Sequence, residues 1–174
     1  EETTVSNEIL AHREGGIRTL TFNRLDKKNA ITTAMYTRLA EEMEQAAGDD
    51  AVRVVVIQGD VSCFTAGNDL ADFAATTAAN DGVAFSDRPV IQFMQALFKS
   101  TKPVVAAVNG AAIGIGTTML MHCDLVYAAD NAKFSVPFAA LGLCPEFGSS
   151  MLLPANGGHA RAAAHRRTHG RLRP

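Results

Sequence analysis

The chain has 174 residues, of which 47% are hydrophobic and 20% charged, and its formal net charge is -2 at pH 7. This length and composition predict one soluble globular domain with its own hydrophobic core. The charge balance gives no case for nucleic acid or an anionic membrane surface as a partner, and no apolar run is long enough to cross a bilayer.

Three cysteines lie in apolar stretches, with a spacing that fits neither a metal site nor a disulfide framework. They are Cys63, Cys123 and Cys144. We predict reduced core residues in a cytoplasmic protein, because an odd number of unpaired thiols is typical of a reducing compartment. The absence of a basic-then-apolar leader at the start of the chain agrees with that location.

Apolar periodicity predicts strands and helices that alternate along the chain. Strands are expected over residues 17–22, 52–57, 103–108, 124–129 and 132–136. Thr32 or Thr33 can cap a helix over residues 34–47, and an amphipathic helix is expected over residues 89–98. Residues 74–86 are predicted to form an exposed, mobile loop. This order of elements is typical of an α/β fold with mostly parallel pairing.

Two stretches follow the order strand, glycine turn, helix. The first covers residues 63–73, and the second, residues 103–121, has three glycines in its turn. Backbone N–H groups at such a helix start have no intrahelical partner, so they can hold an anion that is bound or formed in a reaction. A tight turn needed only for close packing explains the second stretch equally well when it is taken alone. Two such units in succession predict a repeated superhelical turn rather than a single open sheet.

Glu146 is the only charged side chain between Lys133 and Arg161. A lone carboxylate among apolar residues has a raised pKa and can carry a proton near neutral pH. Together with two anion-holding turns it suits proton abstraction next to a carbonyl, with negative charge gathering on the carbonyl oxygen. A cap or a salt bridge at the following helix is the alternative role for Glu146.

Three other features of the sequence have simpler explanations. Lys27 and Lys28 belong either to a solvated loop or to a phosphate contact, and His122 is predicted to be structural rather than catalytic. Residues 114–119 begin like the dinucleotide fingerprint G-x-G-x-x-G, but Met119 stands where the third glycine belongs. We therefore expect no dinucleotide site.

Four motifs in this chain resemble those of crotonase-type enoyl-CoA hydratases and isomerases. They lie at residues 23–30, 64–70, 108–116 and 123–124. The resemblance implies a crotonase-like β-β-α superhelix that binds an acyl-CoA thioester as its substrate, with no metal and no further cofactor. It also implies that the backbone N–H groups of Asn68 and Ile115 form an oxyanion hole. The coenzyme A contacts that it implies come from Lys28, Ala30, Ala66, Gly67, Asn68, Asp69, Leu70 and Gly114.

The sequence departs from the hydratases of this family where they carry two glutamates, because Thr118 and Phe138 stand at those positions. Residues 141–150 instead resemble the segment in which peroxisomal-type 3,2-enoyl-CoA isomerases place a single base, which here is Glu146. The resemblance thus implies isomerisation of 3-enoyl-CoA to 2-enoyl-CoA. A hydratase and a non-catalytic CoA-binding remnant are the alternatives.

The end of the chain also departs from the family. Residues 157–174 hold five arginines and three histidines but no acid. We predict an acyl-CoA-binding core over residues 1–154 and a poorly ordered tail over residues 155–174, with the usual C-terminal helical region truncated. The resemblance implies a homotrimer or a dimer of trimers, which family members build with the C-terminal helices that we predict to be truncated here.

Overall fold

The computed structural model describes residues 7–78 and 82–157. The strands are β1 Ile9–Glu14, β2 Ile17–Phe22, β3 Val54–Gln58, β4 Cys63–Thr65, β5 Val104–Val108, β6 Ala111–Ile113, β7 Leu125–Ala128 and β8 Lys133–Ser135. The α-helices are α1 Thr33–Gly48, α2 Leu70–Ala78, α3 Pro89–Phe98, α4 Ile115–Thr118 and α5 Ser149–Gly157. Short 3-10 helices cover Leu25–Lys27, Phe85–Asp87, Met119–His122 and Ala139–Leu141.

The strands form two sheets. The larger has the order β1-β2-β3-β5-β7 and the smaller the order β4-β6-β8. Only the pairing of β1 with β2 is antiparallel among these strands, so the predicted α/β fold with mostly parallel pairing is confirmed. Each turn of the chain adds one strand to the larger sheet and the next strand to the smaller one. This alternation is the repeated superhelical turn that the two glycine-turn units predicted.

The first strand was absent from the sequence prediction. In β1 only Ile9 is buried and the polar and apolar residues do not alternate, so its sequence lacks the signal of a half-buried strand. The strand forms because it pairs along its whole length with β2, with Ile9 opposite Phe22. Gly15, with a φ of 55°, makes the tight turn between them.

The core lies between the larger sheet and helices α1 and α3. Helix α1 starts where predicted, because the Thr32 hydroxyl accepts the Met35 N–H at 3.3 Å. Its apolar face is buried against α3, where the rings of Tyr36 and Phe93 lie 5.9 Å apart. Burial of this face stabilises α1 more than intrinsic helix propensity does.

The prediction of an exposed loop over residues 74–86 is wrong in its first part, because α2 continues to Ala78. Residues 79–81 lie outside the described residues, and residues 82–86 are exposed as predicted. Local side chains support the helix. The Asp69 carboxylate accepts two N–H groups of its first turn, and the Thr76 hydroxyl donates to the carbonyl of Asp72 at 2.9 Å.

The prediction of three core cysteines is wrong for Cys144. Cys63 is buried and Cys123 is half-buried, but Cys144 is exposed, and none of the three is paired. The segment around Cys144 does not pack into the core, since Leu141 is 52% exposed and Leu143 42% exposed.

Helix α5 continues to Gly157, beyond the predicted core boundary at residue 154. The rest of the predicted tail, residues 158–174, lies outside the described residues. Of the helices that the structure describes, none has the length and apolar character needed to span a bilayer.

Candidate active site

The loop between β2 and α1 is held against β4 by the side chain of Asn29. Asn29 is fully buried, and its amide group donates to the carbonyls of Cys63 and Phe64 at 3.0 and 3.2 Å. Its side-chain oxygen accepts the N–H of Arg24 at 2.8 Å. Lys28 and Asn29 both have a positive φ, a conformation that Asn tolerates better than most residues. The loop is therefore fixed by a residue whose role the sequence analysis did not identify.

This anchoring brings several predicted coenzyme A residues together. The N–H of Ala66 donates to the carbonyl of Lys28 at 2.9 Å, and the N–H of Ile31 donates to the carbonyl of Gly67 at 2.8 Å. Ala30 lies between these two contacts, so the loop and the first glycine turn run side by side. Leu70 begins α2 at the end of the same turn and is 66% exposed.

Asp69 uses its carboxylate within the protein. It accepts a hydrogen bond from Arg24 at 2.8 Å and the N–H groups of Ala71 and Asp72 at 3.0 and 3.1 Å. The hydrogen bond from Arg24, followed by that from the Asp72 N–H, holds the pKa of Asp69 below its ordinary value. Arg24 also donates to the carbonyl of Ala30 at 3.0 Å. The pair therefore ties the loop to the start of α2.

Lys27 and Lys28 are both exposed. Within residues 7–78 and 82–157, no acidic side chain forms a salt bridge with either lysine. Both ammonium groups are therefore open to an anionic ligand.

The same ranges contain no group of three His, Cys, Asp or Glu side chains that could hold a metal ion.

The two glycine turns contact each other directly. Strands β4 and β6 are parallel neighbours, so the turns at their carboxyl ends lie side by side. Gly67 has a φ of 88°, and a Cβ atom added to it would lie 2.7 Å from the carbonyl oxygen of Ile113. A side chain cannot fit at that distance. The close packing that the sequence left as an alternative is thus real, and it places Gly67 beside Gly114.

The geometry leaves the N–H groups of Asn68 and Ile115 without a protein acceptor among the described residues. Ile31 bonds to Gly67 and Asp69, the neighbours of Asn68, so the N–H of Asn68 points away from that pairing. Ile115 is the first residue of α4, where a helix has unpaired donors. Two adjacent turns therefore each present one free N–H.

The carboxylate of Glu146 is half-buried and accepts a hydrogen bond from the Thr118 hydroxyl at 2.9 Å. Burial raises the pKa of Glu146, and the hydrogen bond from Thr118 partly offsets that rise. The side chain neither caps α5 nor forms an ion pair in the part of the chain that the structure describes. Only its backbone carbonyl contacts α5, by accepting the N–H and the hydroxyl of Ser149 at 2.9 and 2.6 Å. The carboxylate is thus available for proton transfer.

His122 fixes the residue that follows Glu146. Its Nε2 lies 2.8 Å from the carbonyl oxygen of Phe147, and the two rings stack with centroids 3.7 Å apart. Phe147 has a φ of 50°, which is uncommon for a bulky residue and needs such support. This contact fits the structural role predicted for His122.

An apolar groove of about 550 Å³ adjoins this turn. Its lining consists of Ile91, Met94, Gln95, Phe98, Met121, His122, Phe147, Gly148, Met151 and Leu152. The groove lies between α3 and α5 and borders Phe147, the neighbour of Glu146. It can take an apolar group attached near the carboxylate.

The sequence analysis missed Tyr36, which connects α1 to the first glycine turn. Its hydroxyl donates a hydrogen bond to the side-chain oxygen of Asn68. Burial, followed by the charge of Glu146, raises the pKa of Tyr36 well above its ordinary value, so the phenol stays neutral. A signal was present, because Tyr36 carries a polar tip on the otherwise apolar face of α1 formed by Met35, Leu39 and Met43.

Comparison with known proteins gives a consistent group of relatives. The chain is 41% identical over 159 residues to enoyl-CoA delta isomerase 2 of Rattus norvegicus, covering 91% of this chain and 40% of that protein. It is 40% identical over 156 residues to 1,2-epoxyphenylacetyl-CoA isomerase of Escherichia coli, covering 88% of this chain and 60% of that protein. It is also 35% identical over 157 residues to 2,3-dehydroadipyl-CoA hydratase of Escherichia coli, covering 90% of this chain and 60% of that protein.

A solved structure with the same fold is also related in sequence. The solved structure of Pseudomonas aeruginosa OdaA superposes with a TM-score of 0.83 at 53% identity, covering 91% of this chain and 62% of that one. The chain therefore spans 40% to 62% of the length of these proteins. The family described as enoyl-CoA hydratase/isomerase matches residues 12–173. The chain belongs to this family within the crotonase superfamily, and both delta isomerases and hydratases are among its relatives.

Proposed function

We propose that this chain binds an acyl-CoA thioester and isomerises 3-enoyl-CoA to 2-enoyl-CoA. The observation that carries the proposal is the half-buried carboxylate of Glu146, which has a raised pKa and a neutral hydroxyl partner. A base of this kind can take up a proton and return it near neutral pH. The delta isomerase of rat among the relatives supports the same reaction.

The reaction needs one base and a site for negative charge. Glu146 removes a proton from C2 of the thioester, and the electron pair moves to the carbonyl oxygen to give a dienolate. The N–H groups of Asn68 and Ile115 donate hydrogen bonds to that oxygen. Glu146 then returns its proton to C4, which leaves the double bond between C2 and C3. Each such donor contributes about a hundred- to a thousandfold in rate.

The proposed coenzyme A contacts follow the loop and the first glycine turn. Lys28 and its neighbour Lys27 offer exposed ammonium groups to the phosphates. The backbone of Ala30 and of residues 66–70, with Gly114 opposite, would line the thiol end. Because the Asp69 carboxylate is already paired with Arg24, we expect its backbone rather than its side chain to contact the ligand. We assign the apolar groove to the acyl chain.

Hydration is the competing reaction. It requires a group that activates water, and the two positions where hydratases of the family carry glutamates hold Thr118 and Phe138. Among the described residues, the side chain that hydrogen-bonds to the Glu146 carboxylate carries a hydroxyl, not a second carboxylate. One base without a water-activating partner favours isomerisation. The alternative of a non-catalytic CoA-binding chain would retain ligand binding without turnover.

The assembly and the cellular location remain predictions from the sequence. We propose a homotrimer or a dimer of trimers, as the family resemblance implies, and a cytoplasmic location. Sedimentation equilibrium of the purified chain tests the first, because a trimer has three times the mass of the monomer.

The test of the proposed reaction is a spectrophotometric assay of 3-enoyl-CoA conversion to the conjugated 2-enoyl thioester. Glu146→Gln keeps the shape of the side chain and removes the base, so we expect a loss of about a hundred- to ten-thousandfold in kcat. Glu44→Gln makes the same chemical change at an exposed position of α1 and should leave the rate unchanged. Equal rates in wild type and Glu146→Gln would overturn the assignment. With 2-enoyl-CoA as the substrate, a 3-hydroxyacyl product would establish the hydratase.

A further inference from the structure

The hydroxyl of Thr118 has two acceptors within reach, and one of them is the proposed base. Its Oγ1 lies 2.9 Å from Oε1 of Glu146 and 3.5 Å from the carbonyl oxygen of Ile115. Thr118 is fully buried in α4, so water does not compete for the hydroxyl. A hydroxyl has one hydrogen to donate and can serve only one of these acceptors well at a time.

We infer that Thr118 is a positioning residue for Glu146. The Thr118 hydroxyl donates to the ionised carboxylate of Glu146 and turns to the Ile115 carbonyl when that carboxyl is protonated. This inference rests on the proposed function. Threonine thus stands where hydratases of the family carry a glutamate, and it supports the single base rather than acting as a second one.

The chemistry of the two protonation states agrees with this role. While Glu146 is ionised it needs donors, and a hydrogen bond to the charged form favours that form. Once Glu146 holds the proton, its carboxyl becomes a donor that the Thr118 oxygen can accept. The Thr118 hydrogen is then free to turn to Ile115. Rotation of the Thr118 hydroxyl therefore leaves its hydrogen paired in both states, and the carboxyl hydrogen has to turn from the Thr118 oxygen toward C4 when it is returned.

The position of Thr118 also connects the base to the oxyanion site. Thr118 and Ile115 are the last and the first residue of α4, and Ile115 supplies one of the proposed oxyanion donors. A base held through Thr118 therefore keeps a fixed distance from that donor. This arrangement is useful because the proton must leave C2 and arrive at C4 of one bound thioester.

Three other titratable groups lie on or beside the segment that carries Glu146. Tyr36 of α1 feels the charge of Glu146, and its raised pKa keeps it neutral. His122, in the 3-10 helix after α4, contacts the carbonyl of the next residue, Phe147. Cys144 lies two residues before Glu146 and is exposed. An activity profile alone reports on every ionisable group near the reaction, so the test needs a direct signal from the carboxyl.

The experiment compares Thr118→Val, which removes the hydroxyl at nearly constant shape, with Thr118→Ser, which retains it. The Glu146 carboxyl is titrated by carbon-13 NMR in the full chain labelled at glutamate, and its signal is assigned by its loss in Glu146→Gln. Thr118→Val should raise the titration midpoint by about one to two pH units, the value of a hydrogen bond to a charged group. Thr118→Ser should stay close to wild type. Thr21→Val, which removes a hydroxyl in β2, serves as the control and should not move the midpoint.

Activity gives the second readout. In Thr118→Val, kcat at neutral pH should fall by about tenfold or more, with its acid limb displaced to higher pH and with KM little changed. An unmoved carboxyl midpoint in folded Thr118→Val would overturn the inference, even if Glu146→Gln abolishes isomerisation. If the wild-type chain does not isomerise 3-enoyl-CoA but the midpoint still moves in Thr118→Val, the proposed function fails and the role of Thr118 stands.

Discussion

The hydroxyl of Tyr36 donates a hydrogen bond to the side-chain oxygen of Asn68, so helix α1 is joined directly to the first glycine turn. Asn68 is the residue whose N–H we assign to the oxyanion hole. Because Tyr36 is anchored by burial and by its contact with Phe93, it restrains the turn from the side of α1, in addition to the contacts of Arg24 with Asp69 and of Thr65 with Gly67.

Removal of this hydroxyl should weaken catalysis more than binding. In Tyr36→Phe the ring still packs on Phe93, but the Asn68 side chain loses its donor and the turn gains freedom. We expect kcat to fall by about tenfold, equivalent to about 1.4 kcal/mol, with a smaller change in KM. Tyr127→Phe on the exposed strand β7 is the matched control. An unchanged kcat in Tyr36→Phe would show that the turn keeps its geometry without α1.

The buried amide of Asn29 should be important for stability. Asn29→Ala leaves the carbonyls of Cys63 and Phe64 without that donor and the Arg24 N–H without its acceptor. We expect the free energy of unfolding to fall by about 2–4 kcal/mol, measured by urea denaturation. Asn23→Ala removes one exposed hydrogen bond and should cost well under 1 kcal/mol. Equal losses in the two variants would contradict the role of Asn29 as the anchor of the loop.

The two strand–glycine turn–helix stretches, residues 63–73 and 103–121, contact each other so closely that no space is left for a side chain at Gly116. A Cβ atom there would lie 2.5 Å from the Cγ2 methyl group of Thr65. Gly116→Ala should therefore destabilise the fold by about 1–3 kcal/mol. Thr65→Ser removes that methyl group and keeps the hydroxyl that bonds to Asn29 and Gly67.

The double variant Thr65→Ser/Gly116→Ala should recover part of the loss, and the four urea midpoints of this cycle measure the coupling. Strict additivity of the two substitutions would mean that the methyl group is not what excludes alanine at Gly116.

The raised pKa of Glu146 makes stability depend on pH. The folded protein holds this proton more tightly than the unfolded chain, so the contribution of Glu146 to stability falls as pH rises from the unfolded pKa through the folded one. Glu146→Gln lacks this titration and should gain stability relative to wild type as pH rises through that window. Urea midpoints measured at acidic and at mildly alkaline pH would show this gain. Glu44→Gln should show no such trend. A relative loss of stability in Glu146→Gln with rising pH would contradict the burial of the carboxylate.

Much of the fold was predictable because local signals agree with the tertiary structure. The helix after Thr32 and the strand Val104–Val108 have clear caps and periodicity. Strand β1 was not predictable, because its pairing with β2 rather than its own pattern stabilises it. The extension of α2 to Ala78 depends on Asp69 and Thr76, whose local hydrogen bonds outweigh a composition typical of loops.

For the site, the sequence indicated Glu146 and both glycine turns, since an isolated charge and clustered glycines are visible in one dimension. The contacts that connect them were not visible. Thr118 and Tyr36 reach Glu146 and Asn68 across 28 and 32 residues of sequence, and only the folded chain brings these pairs together.

The most direct test of a single-base isomerase follows the proton itself. A 3-enoyl-CoA carrying deuterium at both C2 positions is converted in single turnovers, and the 2-enoyl product is analysed by NMR. Because Glu146 is half-buried and returns the same proton that it removes, we predict deuterium at C4 of the product. If C4 gains only protium, because the deuterium removed from C2 is lost to solvent, transfer by one shielded base is contradicted.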